Sequence, residues 1–235
     1  MGERAVRAWA RIAAAHDGDL PVSVAAVCRA AVRWLCIDGA SVAVVSGQVA
    51  RELLFASDEL SGSLEDLLFS TGEGPGADDF SLGSPMLVPD LEAVAGRWPG
   101  FVSAALDAGA GAMFVFPLQA GAIRVGVLSL YRALPGSLTS GDLADVLVFA
   151  DIALQMVLDA AAGISSSPEY RPLDGLSDSR AEVYQATGMV SVQLGVDLEE
   201  AFVRLRAHAF ASSAGLGNVA GDVVSRKLRF YPDRL

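Results

Sequence analysis

SRAEVYQATGMVSVQLGVDLEEAFVRLRAHAFASSAGLGNVAGDVVSRKLRF, residues 179–230, holds three short amphipathic helical patterns with recognisable starts and stops. Ser179 with Glu182, and Asp197 with Glu200, have the spacing of a capping box. In that motif a short acceptor side chain bonds a backbone N–H one turn on and the glutamate bonds back, so helices are predicted to begin near residues 180 and 198. Gly195 and Gly215 stand where two of the helices should end. Apolar residues recur at helical spacing: Val183, Ala186, Val190 and Leu194; Leu198, Phe202, Leu205 and Ala209; Leu216, Val219, Ala220, Val223 and Val224. Three helices with one apolar stripe each close a small bundle. Periodicity alone leaves open whether such a unit binds nucleic acid, binds protein or dimerises.

Particular residues go further. Ala186-Thr187-Gly188-Met189 in the first helix, Glu200-Ala201, Leu205-Arg206 and Ala209 in the second, and Leu216, Val219-Ala220 and Val223-Val224 in the third occur in the order found in a known module. The segment resembles an ANTAR domain, the RNA-binding antiterminator module of bacterial regulators. The resemblance implies an all-α three-helix domain over residues 179–231 whose partner is RNA, as paired stem-loops in nascent transcripts. It also implies an RNA face made of Gln185, Thr187, Gly188, Arg204, Arg206, Ser212 and Ser213. Thr187 stands where the family usually has a lysine, and Ser212-Ser213-Ala214-Gly215 where it has a polar, basic turn, so phosphate contacts are lost. Gly188 serves close helix packing equally well, and Arg206 is also placed to pair with acids on its own helix. Arg226, Lys227 and Arg229 add cations at the end of the third helix, where its dipole favours them.

Upstream the pattern is different. Residues 1–36 read as two helices parted by the turn HDGDLP. Strand-like runs follow at 41–46, 51–57, 85–89, 112–118 and 123–131, the last two joined by a turn at 119–122. Helical patterns lie at 59–70, at 91–108 with an interruption at Trp98-Pro99-Gly100, and at 139–162. This order predicts an α+β domain with an antiparallel sheet. Thr71-Gly72-Glu73-Gly74-Pro75-Gly76, Phe116-Pro117-Leu118 and Gly126-Val127-Leu128 resemble the glycine loop and sheet pattern of a GAF domain over about residues 18–160. That likeness implies a sensor of an unknown small-molecule ligand or protein partner, in a domain spanning 1–162 with its flanking helices. Trp98, Phe114 and Phe116, with Trp34, are candidates to line an apolar pocket, and aromatic residues at such spacings also serve as plain core.

Chemistry is constrained by what is scarce. The glycine loop is read as a turn at the pocket edge, because it lacks the Gly-Lys-Ser/Thr ending of a phosphate cradle. No cysteine lies between residues 37 and 235 to attach a bilin, and the two histidines, His16 and His208, are far apart in sequence. Cys28 and Cys36 fall on one helical pattern about 12 Å apart, too far for a disulfide, and read as buried free thiols. A phosphoryl-receiver domain, another frequent ANTAR companion, needs a late lysine, and the single lysine is Lys227. Asp78 and Asp79 are therefore read as a solvated loop pair. No cofactor, no metal and no enzymatic activity is expected.

At 235 residues and 52% hydrophobic, the chain has room for one large and one small core. Residues 171–235 carry equal numbers of basic and acidic side chains, so the net charge of −11 resides in residues 1–170. An acidic N-terminal domain repels nucleic acid, and a neutral C-terminal module binds it modestly per copy, which favours a dimer presenting two modules. Leu143, Leu147, Ala150, Leu154, Val157 and Ala161 form a heptad stripe, with Val146, Ala153 and Met156 on a second flank. One side is assigned to the sheet and the other to residues 6–14 or to a second copy. A Ser/Pro/Gly-rich linker is expected over 163–178. Charges in the first residues and the lack of a long apolar run predict a cytoplasmic protein with no membrane contact. The expected function is a signal-responsive RNA-binding transcription antiterminator. The alternative is a sensor whose helical module dimerises or docks protein without binding RNA.

Overall fold

Strand β4, Ala112–Ala120, is almost continuously buried, because both faces of the sheet at this strand are covered. The structure is a computed structural model and describes residues 2–16, 22–46, 50–76, 83–162 and 176–232. In chain order come α1 (Glu3–Ala14), α2 (Val24–Trp34), β1 (Gly39–Ser46), β2 (Ala50–Ala56), α3 (Glu59–Thr71) and β3 (Met86–Val88). A 3-10 turn (Glu92–Val94), α4 (Pro99–Asp107), β4, β5 (Ile123–Arg132) and α5 (Ser140–Ala161) complete the first compact unit. The second unit contains α6 (Leu176–Leu194), α7 (Leu198–Ala211) and α8 (Leu216–Val224). Asp78, Asp79 and the expected linker up to residue 175 lie outside the described residues.

The five strands are ordered β2-β1-β5-β4-β3, and the β1–β5, β4–β5 and β3–β4 pairs are antiparallel. Register pairs Ser41 with Ser129, and Phe114 with Leu130. Because side chains alternate along a strand, Val42, Phe114, Phe116, Leu128 and Leu130 enter one layer with α1, α2 and α5. Ala43, Met113, Val115, Val127 and Tyr131 enter the other, beneath α3 and α4.

Helix α5 buries Val146, Phe149, Ala150, Ile152, Ala153 and Val157. Ala150 and Val157 of the heptad stripe and Val146 and Ala153 of the second flank share this buried side, whereas Leu147 of the stripe is 45% exposed. Helix α1 packs on it through Ala8 and Ile12, and Arg4 and Arg11 both reach Asp145, at 2.8 and 2.6 Å. Helix α2 stops at Trp34, so Cys36 lies beyond it and is exposed, contrary to the sequence reading, while Cys28 is buried. Burial raises the Cys28 thiol far above its ordinary range, more than the nearby Arg29 lowers it.

In the second unit all three helices pack on one another. Asp197 caps α7 as expected, its Oδ1 accepting from the Glu200 N–H at 2.8 Å. Helix α6, however, begins at Leu176, inside the segment read as linker. Ser179 therefore lies within its first turn and not ahead of it. No proline or glycine from 176 to 187 interrupts the helix. Gly195 ends α6 with φ +71°, but the left-handed position after α7 is Ser213 at φ +52°, and Gly215 starts α8.

Candidate functional site

In the first unit, the sheet face beneath α3 and α4 combines apolar cover with a buried polar cluster. Leu64 and Leu68 of α3, Leu91, Trp98, and Phe101, Val102 and Ala105 of α4 pack on Ala43, Met113, Val115 and Val127. Among them Glu65 is fully buried. Its Oε1 accepts hydrogen bonds from Ser41 Oγ at 3.0 Å and Ser129 Oγ at 2.8 Å, and its Oε2 accepts from Arg51 Nε at 2.8 Å. The cross-strand register places the two serines side by side, and β2 brings the arginine. Burial alone would raise the Glu65 pKa. The charge of Arg51 and the hydrogen bonds from Arg51, Ser129 and Ser41 outweigh it, so the carboxyl is held below the usual carboxylate range.

A second polar group closes the edge of this face. Asp58 accepts from the Ser61 N–H at 2.6 Å, capping α3, and from the Tyr131 hydroxyl at 3.1 Å. Burial first, and then the Asp58 charge and hydrogen bond, push the Tyr131 phenol above its ordinary range. Opposite Tyr131 in the register stands Gly39, where an added Cβ would collide with the Tyr131 ring and the Asp58 carboxylate.

The glycine loop borders this face. Glu73 reaches the start of α4, its Oε1 accepting from the N–H groups of Gly100 at 2.5 Å and Phe101 at 3.0 Å. Gly74 has φ +125°, and a Cβ there would sit 2.5 Å from Leu68 Cδ2 and 3.0 Å from Phe101 Cγ. Only glycine lets the loop lie this close to both helices. Trp98, at the head of α4 under the Arg97 guanidinium, does face this side. Phe114 and Phe116 do not. They lie in the layer of α1, α2 and α5, because residues 113 and 115 have the other strand phase. Their assignment to a pocket with Trp98 is corrected accordingly.

The second unit closes a core of Val183, Ala186, Val190, Ala201, Phe202, Leu205, Ala209, Leu216, Val219, Ala220 and Val223. Leu198, placed on that stripe by its spacing, is 54% exposed as the first residue after the cap. The residues predicted to contact RNA divide. Gln185 and Arg204 are exposed, Arg204 pairing with Glu200 at 3.2 Å. Thr187 is buried, its hydroxyl donating to the Val183 carbonyl at 2.8 Å, which removes it from any RNA face. Gly188 is half-buried and an added Cβ would meet open space, so close packing does not explain this glycine. Arg206 is half-buried with its guanidinium 3.9 Å from the centroid of the Phe202 ring, two residues and so about 200° around the helix from Arg204. Ser212 donates to the carbonyls of His208 and Ala209, and Ser213 is exposed in the left-handed turn.

Arg204 belongs to a feature not anticipated from the sequence. A groove of about 330 Å³ is lined by Leu194, Val196, Arg204, His208, Phe230, Tyr231 and Pro232. The chain after α8 is anchored there by the Phe230 N–H, which donates to Gln193 Oε1 at 2.8 Å, and by an edge-on contact of Phe230 with His208 at 5.3 Å. The alternation of cations and aromatics in Arg226-Lys227-Leu228-Arg229-Phe230-Tyr231 is the signal that would have pointed to it.

No protein-family model and no curated protein matches the chain. Among solved structures, it is similar to the GAF domain of the Acinetobacter phosphoenolpyruvate-protein phosphotransferase, at 10% identity and TM-score 0.50 over 72% of this chain and 99% of that one. It is likewise similar to the GAF domain of a Coxiella burnetii phosphoenolpyruvate-protein phosphotransferase, at 11% identity and TM-score 0.50 over 68% and 94%. The five-stranded antiparallel sheet flanked by helices is a GAF fold. Among the described residues no helix is long and apolar enough to cross a membrane.

Proposed function

We propose that the chain is a signal-responsive regulator in which the GAF-fold unit takes an organic ligand or a protein partner and the three-helix unit binds RNA stem-loops as a transcription antiterminator. The observation that carries the reading is the C-terminal unit itself. Ala186, Ala201, Leu205, Ala209, Leu216, Val219, Ala220 and Val223, among the residues that resemble an ANTAR module, lie in one three-helix core, and Arg204, Arg226, Lys227 and Arg229 remain exposed on its surface. In contrast, the N-terminal residues hold the whole excess of acid. Cations on a neutral module beside an acidic one confine nucleic-acid contact to the module.

This reading assigns Gln185, Gly188, Arg204, Arg206, Ser212 and Ser213 to the RNA contact and leaves Thr187 to the core. A dimer in the cytoplasm would offer two modules to paired hairpins on one transcript. The test is fluorescence anisotropy of the full chain with one-hairpin and two-hairpin RNAs across a salt titration. Binding that tightens with the second hairpin and weakens linearly in log salt is expected. The absence of hairpin binding at low salt refutes the reading. One observation favours the protein-docking alternative: Val192, Val203 and Phe210 are 84, 54 and 83% exposed on the same unit. Self-association through them without RNA affinity would select it.

A further inference from the structure

The groove behind the C-terminal segment has a composition that neither packing nor capping uses. Phe230 is the anchor, held by Gln193 and His208. The next residue, Tyr231, is 73% exposed. An aromatic ring that gains little from burial, on a segment whose preceding residue is tied down, is a positioned but open surface. Arg229 lies over that ring, 5.8 Å from its centroid, so one face carries a cation and the other is available. Across the groove Arg204 and His208 are one helical turn apart on α7, and Glu200 orients the Arg204 guanidinium at 3.2 Å. The volume, about 330 Å³, is within the range of small organic sites, and the lining mixes apolar, aromatic and cationic groups.

A flat π surface flanked by guanidinium groups matches a nucleobase with its phosphate better than an aliphatic or acidic peptide. Stacking satisfies the ring, and the cations satisfy the backbone. We propose that this groove is a stacking subsite for one unpaired nucleobase of an RNA loop, with Tyr231 as the platform and Arg204 and Arg229 as the phosphate partners. The proposal rests on the RNA-binding reading above and adds to it the class of group recognised and the tail residue that recognises it.

The experiment uses the full chain and a stem-loop RNA labelled on the stem, read by anisotropy. Wild type, Tyr231→Ala and Tyr231→Phe are each titrated with the intact RNA and with versions made abasic at one loop position at a time. Tyr231→Ala is expected to weaken binding by about tenfold, the usual size of one lost base–aromatic stack, and Tyr231→Phe, which keeps the ring, to restore it. One abasic position should weaken wild type by a similar factor and leave Tyr231→Ala unchanged, since both remove the same contact. Wild-type affinity in Tyr231→Ala, or losses that simply add for every abasic position, overturns the subsite while leaving RNA binding in place. The absence of binding of any of these RNAs by wild type overturns both. Because Tyr231 is exposed, its replacement leaves the three-helix core intact.

Discussion

Replacing Glu65 with Gln removes one charge from a place that water does not reach. In wild type its carboxylate accepts from two serine hydroxyls and from Arg51 Nε, and the Arg51 side chain is itself only 10% exposed. A glutamine oxygen can keep the serines or the arginine, but its NH2 then faces the donors left over. The arginine stays charged at any workable pH and also donates to the Gly76 carbonyl, so the variant takes the carboxylate from a buried cation, at a cost of about 3–5 kcal/mol. The double variant Glu65→Leu with Arg51→Met removes both charges and should recover most of that loss. A remainder of about 1–3 kcal/mol is expected from the serine hydroxyls left without their acceptor. All three tryptophans, Trp9, Trp34 and Trp98, lie in the GAF-fold unit, so tryptophan fluorescence during urea unfolding reports that unit alone. The sign with pH follows from the lowered pKa of Glu65. Its contribution is complete above the unfolded carboxyl value of about 4.3 and is lost as pH falls through the lower folded value. The gap between wild type and Glu65→Gln should therefore be full at neutral pH and narrow in acid. A Glu65→Gln protein within about 1 kcal/mol of wild type, or a gap that is constant down to low pH, would refute this account of the network.

Other substitutions test other parts of the chain. Ser213→Gly should stabilise the C-terminal unit by about 0.5–1 kcal/mol, because the left-handed turn after α7 strains any side chain, and a higher midpoint in a thermal melt followed by circular dichroism checks it. Asp197→Ala should cost about 1 kcal/mol in the same melt through loss of the α7 cap. Arg206→Ala should weaken hairpin binding by about 1–3 kcal/mol in an anisotropy titration while circular dichroism stays helical. If α5 forms the seam of a dimer, Leu147→Glu with Leu158→Glu, two exposed positions on its outer side, should change the mass in light scattering from two chains to one.

Much of the fold was legible because the relevant signals are local. Asp197 and Glu200 marked a helix start that the backbone adopts, and β-branched and aromatic runs marked the strands near their actual limits. What escaped depended on which side an apolar residue faces. Phe114 and Met113 are both buried, so composition along β4 carries no trace of its alternation between two layers. Helix α5 is apolar on more than one side, and its packed side draws on both stripes read from spacing, Ala150 and Val157 from one and Val146 and Ala153 from the other, so spacing alone did not single out the exposed Leu147. Thr187 looked available as a polar residue, but its hydroxyl is satisfied by the carbonyl one turn back, which lets the side chain enter the core. The groove depends on the return of the segment after α8 across α6 and α7, a long-range placement that helical periodicity does not encode.

The alternation along β4 gives an experimenter control over each half of the GAF-fold unit separately. Within this nine-residue strand, a truncation at Phe114 or Phe116 opens space only on the side of α1, α2 and α5. One at Met113 or Val115 opens space only on the side of the glycine loop, Trp98 and Glu65. The strand is thus a partition with separately addressable surfaces, and graded trimming of one side at a time separates what each layer contributes to the stability of the unit.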